Sequence, residues 1–344
     1  MVMKFRSSQP SLAADLFMML TAQSISELKD RVLSGGEITY EEAVSLIEIE
    51  DSGLFKTLRA AAHEITLAFN SNKAGLCSLI NAKSNLCGED CGFCAQSVRF
   101  ETSVARYELL QPEIILEAAK KAEKQGAQNF CLVTSGGALN EDEFERILDI
   151  VRKLKIETKL GIDGSLGFLT PNRVDRLREA GLRRFNSNLQ SSREFYPEIV
   201  STHSYDKRIE TLEYLKEGEL EMCSGGILGM GESCYDRVKM AFELKRFHPE
   251  CVPMNVLNPR PGTPLEHAPK IENFEILKTI AVYRFILPKS NIKLAGGREI
   301  SLGSEQDKAL QGGANGLIVG GYLTTAANPV EEDLNLLRRS GYQV

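Results

Sequence analysis

The sequence predicts an α/β fold: a (β/α)8 barrel of the TIM type with an N-terminal helical extension. Three observations predict it. From residue 76 onward, eight short β-rich runs each precede a stretch whose apolar residues recur at helical spacing. Such alternation calls for parallel strands joined by crossover helices, and eight units are enough to close a ring. The first seventy residues, by contrast, carry only helical patterns. Third, a run of cysteines falls directly after the first predicted strand, at the strand end where a barrel collects its chemistry. A doubly wound sheet is the alternative, because spacing alone does not close a barrel.

Residues 1–70 are read as the extension, a lid or packing layer, and 71–344 as the barrel. In the extension, Thr39-Tyr40-Glu41-Glu42 has the form of a capping box, and residues 54–69 repeat apolar side chains at helical spacing. The predicted strands are 76–81, 130–134, 160–163, 184–188, 220–224, 252–257, 292–295 and 316–319. The predicted helices are 112–125, 141–154, 172–180, 206–216, 234–247, 274–285 and 304–311. A last helix is expected after Asn328, with Asn328 as its cap, Pro329 in the first turn and acidic residues at the positive end of the dipole.

Composition narrows the function. A chain of 344 residues, 42% hydrophobic and 26% charged, can bury one large core. Its 41 basic and 47 acidic residues are well mixed and leave a net charge of -6, so no basic stripe invites nucleic acid. No apolar run approaches the ~18–20 residues of a membrane span. The stretch 12–20 is broken by Asp15 and lacks a clean cleavage site. A cytoplasmic protein is expected, in which the eight cysteines stay reduced and serve metals rather than disulfides.

The decisive run is Cys87-Gly88-Glu89-Asp90-Cys91-Gly92-Phe93-Cys94, followed by Ala95-Gln96-Ser97. Three thiolates so spaced hold three irons of a [4Fe-4S] cube. The fourth iron stays open to the amine and carboxylate of S-adenosylmethionine (SAM), the logic of a radical SAM enzyme. A zinc loop would want a fourth Cys or His close by.

With its flanks, the stretch from Ile80 to Ser97 resembles the biotin synthase family. The match continues through Phe185-Asn186-Ser187-Asn188, residues 223–232 and 258–265, and Ala295-Gly296-Gly297-Arg298-Glu299. It covers roughly residues 70–340, including a C-terminal biotin/thiamin-synthesis-associated region within the barrel segment. The resemblance implies the last step of biotin biosynthesis, a sulfur insertion. A 5'-deoxyadenosyl radical from SAM abstracts hydrogen from two unactivated carbons of dethiobiotin, and an auxiliary iron–sulfur cluster supplies the sulfur that bridges them. Two SAM molecules are then used per product.

Carried over by position, the resemblance gives Cys87, Cys91 and Cys94 to the [4Fe-4S] cluster and Phe93 to the adenine. Arg208 would pair with the methionyl carboxylate, Ile227 and Gly229 would pass backbone contacts to the adenine, and Gly136, with Gly137, would border the amino group. Asn186 and Asn188 stand two apart on one predicted strand and so share a face. With Asn255 they match the donors and acceptors of a ureido ring, and Asn188 also borders SAM. Gln190 stands where familiar members carry a carboxylate that reaches the ribose.

Familiar members hold a [2Fe-2S] auxiliary cluster with three cysteines and an arginine. Cys131, Cys223 and Arg298 are matched to three of those positions, Asp163 falls on the third cysteine position, and Cys77 replaces a serine on the first strand. Cys77, Cys131 and Cys223, with Arg298, are therefore expected to bind a [2Fe-2S] or variant cluster, Asp163 being an oxygen ligand or a partner of Arg298. Implied partners are a low-potential electron donor of flavodoxin or ferredoxin type, the iron–sulfur assembly machinery and a second copy in a homodimer. Cys234 and Cys251 are read as structural, and His63, His203, His248 and His267 as surface residues. The rivals are a hydrogenase maturase or methylornithine synthase type of radical SAM enzyme, a non-catalytic iron–sulfur carrier and a zinc-stabilised binding module.

Overall fold

The computed structural model describes residues 20–325 and 328–344, so residues 1–19 of the expected extension, with the 12–20 stretch up to Met19, lie outside the described residues. Nine strands form one parallel sheet: β1 (Gly75–Lys83), β2 (Asn129–Thr134), β3 (Gly161–Ser165), β4 (Arg184–Asn186), β5 (Glu221–Cys223), β6 (Gly226–Leu228), β7 (Cys251–Val256), β8 (Asn291–Leu294) and β9 (Gly316–Ile318). Their order is β5-β4-β3-β2-β1-β9-β8-β7-β6, and β5 also meets β7 where Cys223 stands opposite Cys251. That last pairing closes the ring. β5 and β6 are two halves of one stave, so the barrel has eight, as the alternation predicted.

The predicted fourth strand runs to Asn188, and no strand is predicted over 226–228. The structure ends β4 at Asn186 and resumes pairing at β6 after Ser224 and Gly225. The break has a local cause: Gly225 donates its N–H to Asn188 Oδ1 at 3.0 Å, and a Cβ there would sit 2.1 Å from the Pro253 carbonyl oxygen. Only glycine lets the interrupted stave lie against β7.

Helices α1 (Ala22–Leu33), α2 (Tyr40–Ile47) and α3 (Ser52–Asn70) form the extension. Thr39 and Glu42 make the expected reciprocal cap, at 3.2 and 2.8 Å. In α3, Leu58, Ala61, Ala62, Ile65 and Thr66 are buried, one stripe at helical spacing. The crossover helices follow: α4 (Pro112–Lys124), α5 (Glu141–Glu157), α6 (Pro171–Ala180), α7 (Tyr205–Glu217), α8 (Cys234–Lys245) and α9 (Asn273–Ile286). α3 packs along α9 and α1, and α2 along α8 and α9. From Ile276 to Ile286 every residue of α9 is buried, because the barrel covers one side and the extension the other. The Arg284 guanidinium on α9 is wholly enclosed, lowered to about 9 by burial, and held by the carbonyls of Gly313, Pro288 and Ser290.

Short helices α10 (Arg298–Ser301) and α11 (Gln306–Leu310) and the last helix α12 (Val330–Arg339) finish the chain. α12 is not capped by Asn328: Pro329 is the cap position, and the Asn328 amide reaches Asp333 Oδ1 instead. Asp333 is occupied by the residue expected at the auxiliary cluster. Arg298 donates to Asp333 Oδ2 at 2.7 Å, to Tyr322 Oη at 3.0 Å, to the Ile318 carbonyl at 3.3 Å and to Gln306 Oε1. It follows Gly297, whose left-handed turn (φ +83°) against the Val256 carbonyl swings the chain out of the stave line. The guanidinium thus points into the packing between β9 and α12. Placing Arg298 at a cluster is corrected: it is a buried tie for the C-terminal helix.

With side chains 1% and 0% exposed, the Arg298–Asp333 pair is expected to be costly to break on one side. Asp333→Ala, which strands a buried cation, is expected to lower the unfolding free energy of the cluster-free protein by about 3–5 kcal/mol in urea denaturation, and Arg298→Met/Asp333→Leu to recover most of that loss.

Candidate active site

A cavity of about 370 Å3 opens at the C-terminal ends of the staves and runs down into the ring. Its rim comes from the loops: Phe93, Cys94 and Ala95 after β1, Asn188 and Gln190 after β4, Leu257, Asn258 and Arg260 after β7, and Tyr322 to Thr325 after β9. Its floor comes from inward-facing strand residues, among them Cys77, Cys131, Asp163, Cys223 and Lys293. Strand alternation explains the floor, since Cys77 and Leu79, Cys131 and Val133, and Asp163 and Ser165 each lie two apart on the cavity face.

At the rim, the cysteine loop is folded on itself. Cys87 bridges to Ser97, Cys94 N–H donates to the Cys91 carbonyl at 2.9 Å, and Gly92 N–H donates to the Ile199 carbonyl at 2.8 Å. Burial pushes the Cys91 thiol up to about 12, with Arg208 pulling it down, so as a bare thiolate it is unfavourable and a bound cation would favour it. Among the described residues no three His, Cys, Asp or Glu side chains converge on a single point. A cube that gives each thiolate its own iron asks for no such convergence. Glu89 and Asp90 project from the loop to the segment before α7. Asp90 accepts from the Ser201 and Thr202 backbone N–H groups at 2.9 and 3.1 Å and from both hydroxyls, which hold its carboxyl far below the usual range against burial.

Behind the rim, Arg208 on α7 donates through Nη1 to the Asn188 carbonyl at 3.1 Å, through Nη2 to His203 Nε2 at 3.2 Å, and through Nε to Tyr196 Oη. His203 is not a surface residue: its side chain is 7% exposed and its Nδ1 lies 2.8 Å from Glu89 Oε2. Burial holds its pKa below the ordinary value. None of the four histidines lines the cavity, nor do Arg208, Cys87 and Cys91, which stand behind the rim; His267 is exposed.

Several predicted contacts meet at the cavity and others do not. Asn186 Oδ1 and Gln190 Oε1 are buried without a partner, the two orphan acceptors of the lining amides. Asn255 lines the wall, but its amide already bridges the Gly226 carbonyl (3.1 Å) and the Gly296 N–H (3.1 Å). Ile227 lines the cavity. Gly229 does not, and its N–H is taken by Glu232 Oε1 at 2.9 Å; Gly136 also lies outside the lining.

The floor holds what the sequence missed. Lys293 on β8 faces the thiols, where Arg298 was expected, and Cys251, read as structural, is fully buried opposite Cys223. Alternation along β7 could have found Cys251, since Pro253 and Asn255 on the same face line the cavity. Its thiol is held below the usual range, first by the neighbouring Cys223 thiol and then by Lys293 and Arg184, against burial. Burial raises Cys77 to about 11. The thiols and Asp163 together hold Lys293 protonated despite burial. Three thiols and one ammonium therefore line the floor, with the Cys251 thiol buried beside Cys223, a donor set that fits a sulfur-ligated anionic cluster.

Residues 82–244 match the family described as the Radical SAM superfamily, and residues 253–343 the Biotin and Thiamin Synthesis associated domain. The chain is 46% identical over 312 residues to a biotin synthase of Pelotomaculum thermopropionicum, covering 91% of this chain and 97% of that one. It is 44% identical over 322 residues to a biotin synthase of Carboxydothermus hydrogenoformans, covering 93% and 99%. For a biotin synthase of Nitrosopumilus maritimus the identity is 40% over 323 residues, covering 94% and 99%. Among solved structures, methylornithine synthase superposes with a TM-score of 0.80 at 22% identity, covering 92% of this chain and 96% of that one. The FeFe-hydrogenase maturase HydG from Carboxydothermus hydrogenoformans gives 0.79 at 18%, covering 93% and 79%. Both likenesses are of fold.

Asp163 generates a pH prediction. Burial raises its carboxyl from 3.8 to about 6, against Arg184, whose Nη1 is 3.8 Å away, and Lys293. A carboxyl raised on folding stabilises fully below its unfolded value, and that contribution is lost as pH rises through the folded value. The cluster-free protein is expected to lose about 1–3 kcal/mol from this group between roughly pH 4 and pH 7, and Asp163→Asn to remove that part of the slope in urea titrations.

Proposed function

The chain belongs to the biotin synthase family, and from that premise we propose that it converts dethiobiotin to biotin by radical SAM sulfur insertion. The observation that carries the reading is the single cavity joining the Cys94 loop at its rim to a thiol-lined floor. When bound, a rim [4Fe-4S] cluster supplies the electron that splits SAM, and a floor cluster supplies the sulfur.

The protein's share is holding and shielding. Cys87, Cys91 and Cys94 hold the rim cluster, and Phe93, set between two of them, packs on the adenine. Arg208 anchors the methionyl carboxylate, with Gly136 and Gly229 as backbone neighbours of SAM rather than cavity walls. Gln190 Oε1, buried and free, accepts from a ribose hydroxyl. Asn186 Oδ1, equally free, accepts from a ureido N–H; Asn188 and Asn255 flank it. The apolar part of the lining keeps water from a radical that attacks whatever is nearest. At the floor, Cys77, Cys131 and Cys223 are the ligands, Cys251 stands beside Cys223, and Lys293 takes the cationic place first given to Arg298. Electrons come from a flavodoxin- or ferredoxin-type donor, clusters from the assembly machinery, and the working unit is a homodimer.

The test is anaerobic turnover of reconstituted protein with SAM, a low-potential reductant and dethiobiotin, following 5'-deoxyadenosine and biotin by mass spectrometry. Two deoxyadenosines per biotin are expected. Deoxyadenosine without biotin would sink the substrate assignment and leave radical chemistry of the maturase or methylornithine synthase kind; neither product from cluster-loaded protein would favour a carrier. Separately, Cys77→Ala is expected to lower bound iron and sulfide while sparing the rim cluster's SAM-dependent spectrum, and unchanged content would remove Cys77 from the ligand set.

A further inference from the structure

Arg208 is gripped more tightly than an exposed helix arginine has reason to be. Nε, one Nη1 and one Nη2 hydrogen are donated to Tyr196 Oη, the Asn188 carbonyl and His203 Nε2, so three of its five N–H groups are used. One hydrogen remains on each terminal nitrogen, the number a bidentate carboxylate takes. The ring of Phe168 lies 5.8 Å from the guanidinium carbon and meets His203 edge-on at 5.0 Å, walling the group on the other side.

The bonds around His203 have one consistent proton arrangement. Neutral His203 donates Nδ1–H to Glu89 Oε2 at 2.8 Å, which leaves Nε2 as an acceptor. Nε2 then receives both the Tyr196 hydroxyl at 2.8 Å and Arg208 Nη2 at 3.2 Å, while Tyr196 Oη accepts Arg208 Nε–H. Glu89 fixes the tautomer and ring plane, and the ring fixes the arginine. A carboxylate steers metal-bound histidines in the same way. Here the carboxylate lies inside the cysteine loop, between Cys87 and Cys91, and its neighbour Asp90 pins the segment that bears His203.

We infer that His203 is a positioning residue for SAM: backed by Glu89 of the cluster loop, it pre-orients Arg208 so that its two free N–H groups face the methionyl carboxylate. The inference rests on the assignment of Arg208 as the carboxylate anchor. It gives Glu89 a task beyond spacing two cysteines, and it makes the anchor's geometry depend on the loop that carries the cluster. Preorganisation of this kind acts on binding, because it removes rotamer freedom that SAM would otherwise have to restrict.

The experiment measures equilibrium binding of radiolabelled SAM, and of decarboxylated SAM, to anaerobically reconstituted protein, with the cluster's EPR signal reporting that the rim site is intact. His203→Ala is expected to weaken SAM about tenfold, to leave decarboxylated SAM within about twofold, and to be partly rescued in His203→Gln, whose amide oxygen still accepts from Arg208. Arg208→Lys is the reference. If it weakens SAM and His203→Ala does not, the positioning role is overturned and the anchor stands. If His203→Ala weakens both ligands alike, the effect is structural and the role is again overturned. If Arg208→Lys leaves SAM affinity unchanged, the anchor assignment falls and the inference with it. Should His203→Ala not fold, His203→Gln and Glu89→Gln are read against the same two ligands, and a carboxylate-specific loss is required of Glu89→Gln.

Discussion

Ring closure between β5 and β7 is the constraint on which the site depends. β5 meets β7 only where Cys223 stands opposite Cys251, and β6, the other half of the same stave, carries the seam on from Gly226 opposite Met254 to Leu228 opposite Val256. Parallel staves tilt, so a seam at this height brings side chains from the first, second, fifth and sixth staves to one floor. The interruption after Cys223 serves the same end. It divides one stave into β5, which pairs with β4 and touches β7 at Cys223, and β6, which pairs with β7, while the loop after β4 folds over the gap and places Asn188 and Gln190 at the rim.

The two ends of the cavity are built on opposite electrostatic terms. The rim loop is tied by backbone amides and charged side chains near solvent, whereas the floor is nearly dry and contains Lys293, Asp163 and Arg184 among its sulfurs. Buried charges persist only when they offset one another. A floor that holds Lys293 and Arg184 against the Asp163 carboxylate is arranged around more negative charge than neutral thiols carry.

How much of this was legible depended on whether the signal was local. Alternation fixed eight staves and the capping box fixed the start of α2, because both are decided by neighbouring residues. The cysteine loop was legible for the same reason. Lys293 was missed because Arg298 was matched to the cluster position by resemblance; the two lie five residues apart, an odd separation that strand alternation puts on opposite faces, and the stave ends at Leu294 between them. Cys251 was passed over because a position between Pro249 and Pro253 looks like a connection, although alternation back from Asn255 puts it on the inward face. His203 gave no signal because its partner Glu89 is 114 residues away. Asn328 was assigned as a cap one residue too early; the cap place falls on Pro329, and the Asn328 amide reaches Asp333 in the first turn of the same helix.

The sheath that α3 and α2 lay over α9 has a consequence in time. Lys278 on α9 donates to the Ile49 carbonyl across 229 residues of chain, and the apolar stripe of α3, which packs on α1 as well, is fully covered only when that distant helix exists. At translation rates of about 5–20 residues per second, the interval between making the stripe and making its partner is roughly 10–50 s. For that period the face of α3 that α9 will cover has only α1 of its own chain beside it. Nascent-chain holding factors that favour short amphipathic helices would find their substrate here, and the rate at which this polypeptide reaches its folded form is set partly by the ribosome rather than by the barrel.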